Sequence, residues 1–254
     1  MVNEFKIYFK SSENMSEVDS NAVKTVITSP PYWDLKNYLV ENQIGYNEKY
    51  DEYHNRLNKV WKECYRILKE NGSIWINITF RFYEGKLYLI PFDIINNMEN
   101  LGFIYLGAFI WHKPSGIPSS SKNLSNHFEY ILFFVKNTNK FKFNDNELWN
   151  DDYGFLGNGK IGNVWRIVKK AGTVGKEIPH PAIYPNELVE RIIKITSKEN
   201  DVILDPFLGS GTTLISSVNI NRRFKGYEIN DKEYKKIIKL RIESELKNEL
   251  TRYL

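Results

Sequence analysis

The hexapeptide Thr28–Trp33, which reads Thr-Ser-Pro-Pro-Tyr-Trp, combines residue types that suit the binding of a planar amine. It follows a short apolar segment typical of a buried strand, and the prolines end that strand because they cannot donate to a ladder hydrogen bond. Ser29 therefore offers a hydroxyl, and Pro30 a carbonyl, on a rigid backbone. Tyr32 and Trp33 add flat aromatic surface. A nucleobase taken out of its stack carries an amine on its edge and presents a face for stacking.

The hexapeptide alone also fits a stiff turn that buries a tyrosine, but a second motif favours the nucleobase interpretation. An apolar strand, Val202–Leu204, runs into a glycine turn, and the strand after that turn carries Glu228. A strand, a glycine turn and a helix start, followed by an acidic residue, form a nucleoside-binding half. No lysine stands where a phosphate-binding loop has one, so we expect a ligand without a phosphate tail. The turn reads Asp205-Pro206-Phe207-Leu208-Gly209-Ser210-Gly211-Thr212-Thr213.

Length and composition indicate one domain with an insertion. The 254 residues are enough for a substantial core. The single cysteine, Cys64, excludes an intrachain disulfide and a zinc site built from cysteines, and its place on an apolar helix face indicates a structural role. No apolar stretch approaches the length of a membrane span, and the N-terminus has no signal-like core. We therefore expect a cytoplasmic protein with no membrane partner and no metal site.

The net charge of +4 is concentrated in the middle of the chain. Ten basic residues stand against six acidic ones between Ile110 and Ile178, interleaved with aromatic side chains. This pattern is typical of surfaces that bind nucleic acid, although a solvated, lysine-rich surface would look the same.

Alternating helical and extended patterns predict a sheet covered by helices. The segment Asp34–Glu52 is polar and rich in tyrosine, which suggests a loop that closes over a site. Asn71-Gly72 is predicted to end the first helix in the left-handed conformation. Asn137–Glu177 contains six glycines and little periodicity, and such a long irregular segment usually binds something. Strands are predicted at 5–9, 24–28, 73–78, 103–111, 128–136, 202–204 and 224–229, and helices at 53–68, 89–101, 186–197, 214–218 and 231–250.

Both motifs resemble those of S-adenosylmethionine-dependent, amino-methylating DNA methyltransferases. The segment Asp205–Thr213 is similar to their cofactor motif and Thr28–Trp33 to their catalytic motif. The catalytic motif comes first here, as in the permuted β group of that family. The chain also matches the family at Cys64–Lys69, Trp111–Pro114, Phe128–Leu132 and His180–Pro185, and only about Asn137–Glu177 lacks a counterpart.

The resemblance implies an α/β, Rossmann-like methyltransferase fold with a mostly parallel seven-stranded sheet flanked by helices and a small irregular insertion. Residues 1–136 would form the catalytic part with the target-base pocket, 137–177 the target-recognition insertion, and 178–254 the cofactor-binding part. The implied cofactor is S-adenosyl-L-methionine and the implied substrate is double-stranded DNA. A restriction-modification system is the expected context, with a cognate restriction endonuclease as partner, and the enzyme is expected to be a monomer or a homodimer.

The resemblance also assigns roles to individual residues. The implied catalytic residues are Ser29, Pro30, Pro31 and Tyr32. The implied cofactor-binding residues are Asp205, Pro206, Phe207, Gly209, Ser210, Gly211, Thr212, Glu228, Thr28, Ser11, His180 and Pro181. Ser11 stands where the family often has an aspartate that meets the cofactor adenine, because this chain reads Lys10-Ser11-Ser12-Glu13. The residues expected to contact DNA are Trp33, Lys113, Lys160, Arg166, Lys169 and Lys170.

The expected target base is inferred from Ser29. In this family an Asp or Asn before Pro-Pro-Tyr goes with adenine, whereas Ser is typical of enzymes that methylate the exocyclic N4 of cytosine. The chain is therefore expected to flip cytosine out of the duplex and to methylate N4 by direct in-line transfer, with no covalent enzyme intermediate. An adenine-N6 methyltransferase is the alternative, followed by a catalytically silent nucleic-acid binder of the same fold and by an RNA-modifying enzyme.

Overall fold

The structure is a computed structural model that describes residues 4–114, 126–148, 161–168, 173–174, 178–179 and 184–246. The strands are β1 Phe5–Tyr8, β2 Val23–Thr28, β3 Leu68–Ile78, β4 Arg81–Tyr83, β5 Lys86–Tyr88, β6 Ile104–His112, β7 Phe128–Val135, β8 Val164–Arg166, β9 Thr173–Val174, β10 Ile178–Pro179, β11 Val202–Asp205 and β12 Arg223–Tyr227. The helices are α1 Tyr50–Ile67, α2 Ile90–Asn100, α3 Asp145–Leu148, α4 Asn186–Thr196, α5 Thr212–Asn219 and α6 Asp231–Glu245.

The central sheet has the strand order β1-β12-β11-β2-β3-β7-β6-β8. All neighbouring strands are parallel except at β7, which is antiparallel to β3 and β6. This arrangement confirms the predicted mostly parallel sheet. The sheet has eight strands, one more than the seven that were expected. The eighth strand, β8, comes from the predicted insertion and pairs with the edge of β6, with Trp111 opposite Trp165. This pairing satisfies backbone groups that an open edge leaves exposed.

Helices cover both faces of the sheet, because consecutive strand residues point to opposite sides. In β3, Trp75 packs in the cluster with α4, α5 and α6, whereas Ile74 and Ile76 pack in the cluster with α1 and α2. Helix α1 buries Leu57, Val60, Trp61, Cys64 and Ile67 at helical spacing. Cys64 is fully buried, as expected for a structural cysteine. Each large apolar side chain buried in this way contributes about 1.5–3 kcal/mol.

The predicted left-handed helix end at Asn71-Gly72 is wrong. Helix α1 ends at Ile67, and Leu68 is already extended, with φ −67° and ψ 135°. The chain therefore passes directly into β3. Gly72 is required for a different reason: a Cβ there would lie 2.8 Å from the Lys69 carbonyl oxygen. A close backbone approach, rather than a helix cap, explains this glycine.

Strands β4 and β5 form a hairpin that the sequence patterns did not predict, with Glu84 and Gly85 at positive φ in its turn.

Among the described residues, no helix is long and apolar enough to cross a membrane. Within the same residues, no group of histidine, cysteine and acidic side chains is arranged to hold a metal ion.

Candidate active site

Neighbouring parallel strands bring the two motifs together at one edge of the sheet. Strand β2 pairs with β11, so the chain segments that leave their carboxyl ends start side by side. Thr28 and Asp205, which lie 177 positions apart in the sequence, are joined by a hydrogen bond of 2.8 Å from Thr28 Oγ1 to Asp205 Oδ1. This is the edge where open α/β sheets bind their ligands.

A cavity of about 380 Å³ opens at this edge and is shared by the two motifs. It is large enough for a nucleoside-sized ligand. The catalytic-motif residues that line it are Ser29, Pro30, Pro31, Tyr32 and Trp33. The predicted cofactor residues that line it are Ser11, Pro206, Phe207, Gly209, Ser210, Thr212 and Glu228.

Three predicted cofactor residues, Thr28, Asp205 and Gly211, do not line this cavity. Asp205 is completely buried behind its wall. Its carboxylate accepts hydrogen bonds from Thr28 Oγ1, Thr213 Oγ1, the Tyr184 hydroxyl and the Phe207 amide, at 2.6–3.0 Å. Burial raises the pKa of Asp205 above its ordinary value, while these four donors favour the charged form. Asp205 and Thr28 thus join the two loops, and their expected contact with the ligand stays a prediction.

The glycine turn is shaped by its backbone and by a buried arginine. Gly209 and Gly211 have φ values of 52° and 87°, which favour glycine. Arg241 of α6 is only 4% exposed and donates to the Ser210 carbonyl and to Thr212 Oγ1, at 3.3 and 2.9 Å. Its charge is balanced by Glu245 at 2.7 Å. Sequence reasoning missed Arg241, although a charged residue between the apolar Ile238 and Ile242 of the same helix was a usable signal.

Glu228 lies at the end of β12 and is 8% exposed at the cavity. One carboxylate oxygen accepts the Gly209 amide and the other the Asn230 amide, both at 2.8 Å. Burial raises the pKa of Glu228 to about 7, although the two amides favour the charged form. Each oxygen keeps a further lone pair, so the ionised carboxylate can still accept hydrogen bonds from two ligand hydroxyls.

The loop after the catalytic motif covers one side of the cavity with Leu35, Lys36 and Tyr38. Asn230 Nδ2 donates to the Tyr38 carbonyl at 2.8 Å. Gln43 bonds both the Tyr38 amide and the Lys36 carbonyl at 2.6 Å. The loop is thus tied to the cofactor side of the site.

A polar network fills the floor beneath Ser29. The Ser29 hydroxyl donates to the Tyr32 hydroxyl at 3.2 Å, and Tyr32 donates to Glu129 Oε2 at 2.9 Å. Asn77 Nδ2 donates to both the Tyr32 oxygen and Glu129 Oε2, at 3.0 and 2.7 Å. Lys113 Nζ pairs with Glu129 Oε1 at 2.7 Å. Asn77 and Glu129 were not predicted as site residues, although Glu129 lies in the family-like segment Phe128–Leu132.

The prolines leave one carbonyl available to a ligand. The Tyr53 hydroxyl donates to the Pro31 carbonyl at 2.7 Å, which holds that turn against α1. No described residue donates to the Pro30 carbonyl. Ser29 and Pro30 thus lie side by side at the cavity, and their role as acceptors for a target amine stays a prediction.

Two of the residues expected to contact DNA are engaged by other residues in this structure, and their DNA contacts stay predictions. Trp33 is only 6% exposed, packs against Tyr50, Tyr83 and Tyr88, and donates its indole N–H to the Glu48 carbonyl at 2.9 Å. It therefore supports the pocket wall instead of an outer surface. Lys113 pairs with Glu129 at 2.7 Å. Arg166 is exposed on β8, and its DNA contact stays a prediction. Lys160, Lys169, Lys170, His180 and Pro181 lie outside the described residues.

The donor set of the cavity suits S-adenosylmethionine. Glu228 offers a carboxylate that can accept from two ligand hydroxyls, Phe207 and Ile229 offer apolar surface, and Ser11 and Ser12 add hydroxyls to the lining. A Rossmann-like sheet whose glycine turn shares one cavity with the catalytic motif is typical of an S-adenosylmethionine-dependent methyltransferase.

Comparison with known proteins identifies the family. The model of a family described as DNA methylase, covering N6 and N4 enzymes, matches residues 23–240, and the chain belongs to this family. It is 33% identical to the type II methyltransferase M.MjaI of Methanocaldococcus jannaschii, over 93% of this chain and 90% of that protein. It is 27% identical to the type II methyltransferase M.Cfr9I of Citrobacter freundii, over 91% and 85%. The chain is accordingly a type II DNA amino-methyltransferase that uses S-adenosylmethionine.

Solved structures agree with this fold. A candidate DNA modification methylase of Thermus thermophilus, TTHA0409, complexed with S-adenosyl-L-methionine, superimposes with a TM-score of 0.70 and 26% identity over 96% of each chain. The PvuII DNA methyltransferase, described as cytosine-N4-specific, gives a TM-score of 0.77 over 94% of this chain and 86% of that one. Its identity is 21%, so this likeness concerns the fold.

The raised pKa of Glu228 predicts a pH-dependent cofactor affinity. A carboxyl whose pKa is about 7 is largely neutral at pH 6 and ionised at pH 8. The ionised form is the better acceptor for ribose hydroxyls, so we expect S-adenosylmethionine to bind up to about tenfold more tightly at pH 8 than at pH 6. Calorimetric titration across this range measures the effect. Glu228→Gln cannot ionise and should flatten the profile; an equal slope in that variant would contradict the assignment.

Proposed function

We propose that this enzyme methylates the exocyclic N4 amine of cytosine in duplex DNA. Ser29 carries the proposal, because a serine at this motif position is typical of cytosine-N4 enzymes and it lines the cavity that the two motifs share. An amine inside a stacked duplex cannot reach this cavity, so the target nucleotide has to be extruded into it.

The residues of the chain act mainly by placing the amine. Its two protons are hydrogen-bonded by Ser29 Oγ and by the Pro30 carbonyl, which draws the nitrogen lone pair out of conjugation with the ring. The ring of Tyr32 forms one wall for the base. The bound S-adenosylmethionine supplies the electrophilic methyl group. Holding two reactants in line supplies roughly 7–11 kcal/mol in favourable models, so positioning is the larger contribution.

Two observations support a DNA-binding role for residues 137–177: the excess of basic residues in the middle of the chain and the pairing of β8 with β6. We propose that this segment reads the target sequence and that β8 anchors it to the sheet beside the base pocket. Arg166 is the described exposed cation best placed for a phosphate contact, because it lies in register with His112 at the end of β6. A cognate restriction endonuclease acting on the same site completes this proposal.

Blocking one base at a time tests the proposed target. Duplex DNA of mixed sequence is synthesised with every cytosine replaced by N4-methylcytosine, or with every adenine replaced by N6-methyladenine. We expect radiolabelled methyl incorporation to be lost in the first DNA and kept in the second. The reverse pattern would assign the enzyme to adenine-N6 and would overturn the inference from Ser29.

A further inference from the structure

The network beneath Ser29 fixes the direction in which each hydroxyl donates. The Tyr32 oxygen has one proton and two lone pairs. Glu129 Oε2, at 2.9 Å, is the nearer of two acceptors for that proton, since the Asn77 carbonyl lies at 3.4 Å, while Ser29 and Asn77 Nδ2 fill the two lone pairs. A carboxylate has no proton to give, so Glu129 forces Tyr32 to donate toward it. Burial and the neighbouring Glu129 charge hold the pKa of Tyr32 well above its ordinary value, so this proton stays in place.

Glu129 also fixes the orientation of the Asn77 side-chain amide. Its amide has to face Glu129 with Nδ2, because the amide oxygen would repel the carboxylate. In this orientation Asn77 Oδ1 is buried and has no hydrogen-bond partner among the described residues. An unpartnered buried acceptor costs about 1–3 kcal/mol. The hydrogen bond from Asn77 to Glu129 therefore outweighs the cost of leaving Asn77 Oδ1 without a partner. Lys113, paired with the other carboxylate oxygen, keeps Glu129 in this position.

We propose that Glu129 is a positioning residue for methyl transfer that acts through Tyr32. Because Tyr32 donates to Glu129, the Ser29 proton points to the Tyr32 oxygen. The Ser29 oxygen is then left only as an acceptor for the target amine. No described residue donates to Ser29 Oγ, so its lone pairs are available. If the Ser29 hydroxyl is not held in this direction, its proton can point at the nitrogen of the target amine and oppose methyl transfer to it. The inference rests on transfer to an amine and holds for cytosine or adenine.

Glu129→Gln tests the proposal with a side chain of the same shape. The Lys113 ammonium attracts the amide oxygen of the new side chain, which turns its NH₂ toward Tyr32 and frees the Tyr32 proton for Ser29. We expect the single-turnover rate on mixed-sequence duplex DNA to fall about tenfold to a hundredfold at saturating S-adenosylmethionine. Cofactor affinity should stay within about twofold, because Glu129 lies on the base side of the cavity.

A double-mutant cycle separates this route from a general structural effect. In a Tyr32→Phe background the relay is absent, so Glu129→Gln should cost less than about twofold. An equal loss in both backgrounds, or a loss confined to cofactor affinity, would overturn the proposal. Glu63→Gln is the matched control, because Glu63 is also a half-buried, ion-paired glutamate, bound to Arg66 at 2.8 Å away from the cavity. It should leave the rate unchanged.

A second cycle does not need the Glu129 variant to fold. If Tyr32 acts through Ser29, Tyr32→Phe should slow methyl transfer in the natural chain and should have no further effect in a Ser29→Ala background. Equal slowing in both backgrounds would mean that the hydroxyl of Tyr32 acts elsewhere, and the proposal would fail. Both cycles compare rates on the same DNA, so a result that changes the assigned base does not alter what either cycle shows about Glu129 and Tyr32.

Discussion

Ser29→Ala is expected to reduce the rate of methyl transfer by at least about a hundredfold while the protein remains folded and binds its cofactor. The variant removes the side-chain acceptor for the amine and leaves only the Pro30 carbonyl. Removing one preorganised hydrogen-bonding group from a reacting centre typically costs about 10²–10³ in rate. Single-turnover incorporation of a labelled methyl group measures the loss, and calorimetry measures the affinity for S-adenosylmethionine.

The matched control for this variant is Ser16→Ala, because Ser16 is an exposed serine that does not line the cavity. Its rate should equal that of the unchanged protein. A Ser29→Ala enzyme that retains more than about a third of the rate would show that the amine is held by other groups. A variant that loses cofactor affinity instead would place Ser29 in the cofactor site.

Asp205→Ala is expected to have the largest effect on stability. Four donors, from Thr28, Phe207, Tyr184 and Thr213, lose their shared buried acceptor. Part of this loss is offset because the cost of burying the carboxylate also disappears. We expect a decrease of about 3 kcal/mol in the free energy of unfolding, with a fall in Tm of roughly 6–12 °C. Urea and thermal unfolding measure both quantities.

Asp19→Ala provides the comparison for Asp205→Ala, since Asp19 is exposed and should change stability by no more than about 0.5 kcal/mol. If Asp205→Ala were equally mild, the four donors would have to find other partners. In that case Asp205 would not be the residue that holds the two motif loops together.

The meeting of the two motifs was predictable from the sequence, because each follows an apolar strand and parallel neighbours end at the same edge. The resemblance implied a mostly parallel sheet, whereas the strand order and the pairing of β2 with β11 became visible only in the fold. Glu228 was predicted for the same reason, and it directly follows the strand after the glycine turn. Its raised pKa was not predictable, because that depends on how deeply the folded chain buries it.

Contacts between distant segments account for what the sequence did not show. Glu129 and Asn77 come from β7 and β3, and they become site residues only because these strands are neighbours. Lys113 and Trp33 were expected to contact DNA from their residue types, but the fold supplies Glu129 and a tyrosine cluster as their partners. The eighth strand was missed because three residues carry too little periodicity to identify it.

Mass spectrometry of nucleosides shows whether the Ser29 pocket methylates cytosine at N4. Mixed-sequence duplex DNA is incubated with the purified protein and S-adenosylmethionine that carries a deuterated methyl group, and is then digested to nucleosides. The expected product is deuterated N4-methylcytosine, absent from a parallel reaction with Ser29→Ala. Deuterated N6-methyladenine without N4-methylcytosine would contradict the claim and assign the same pocket to adenine.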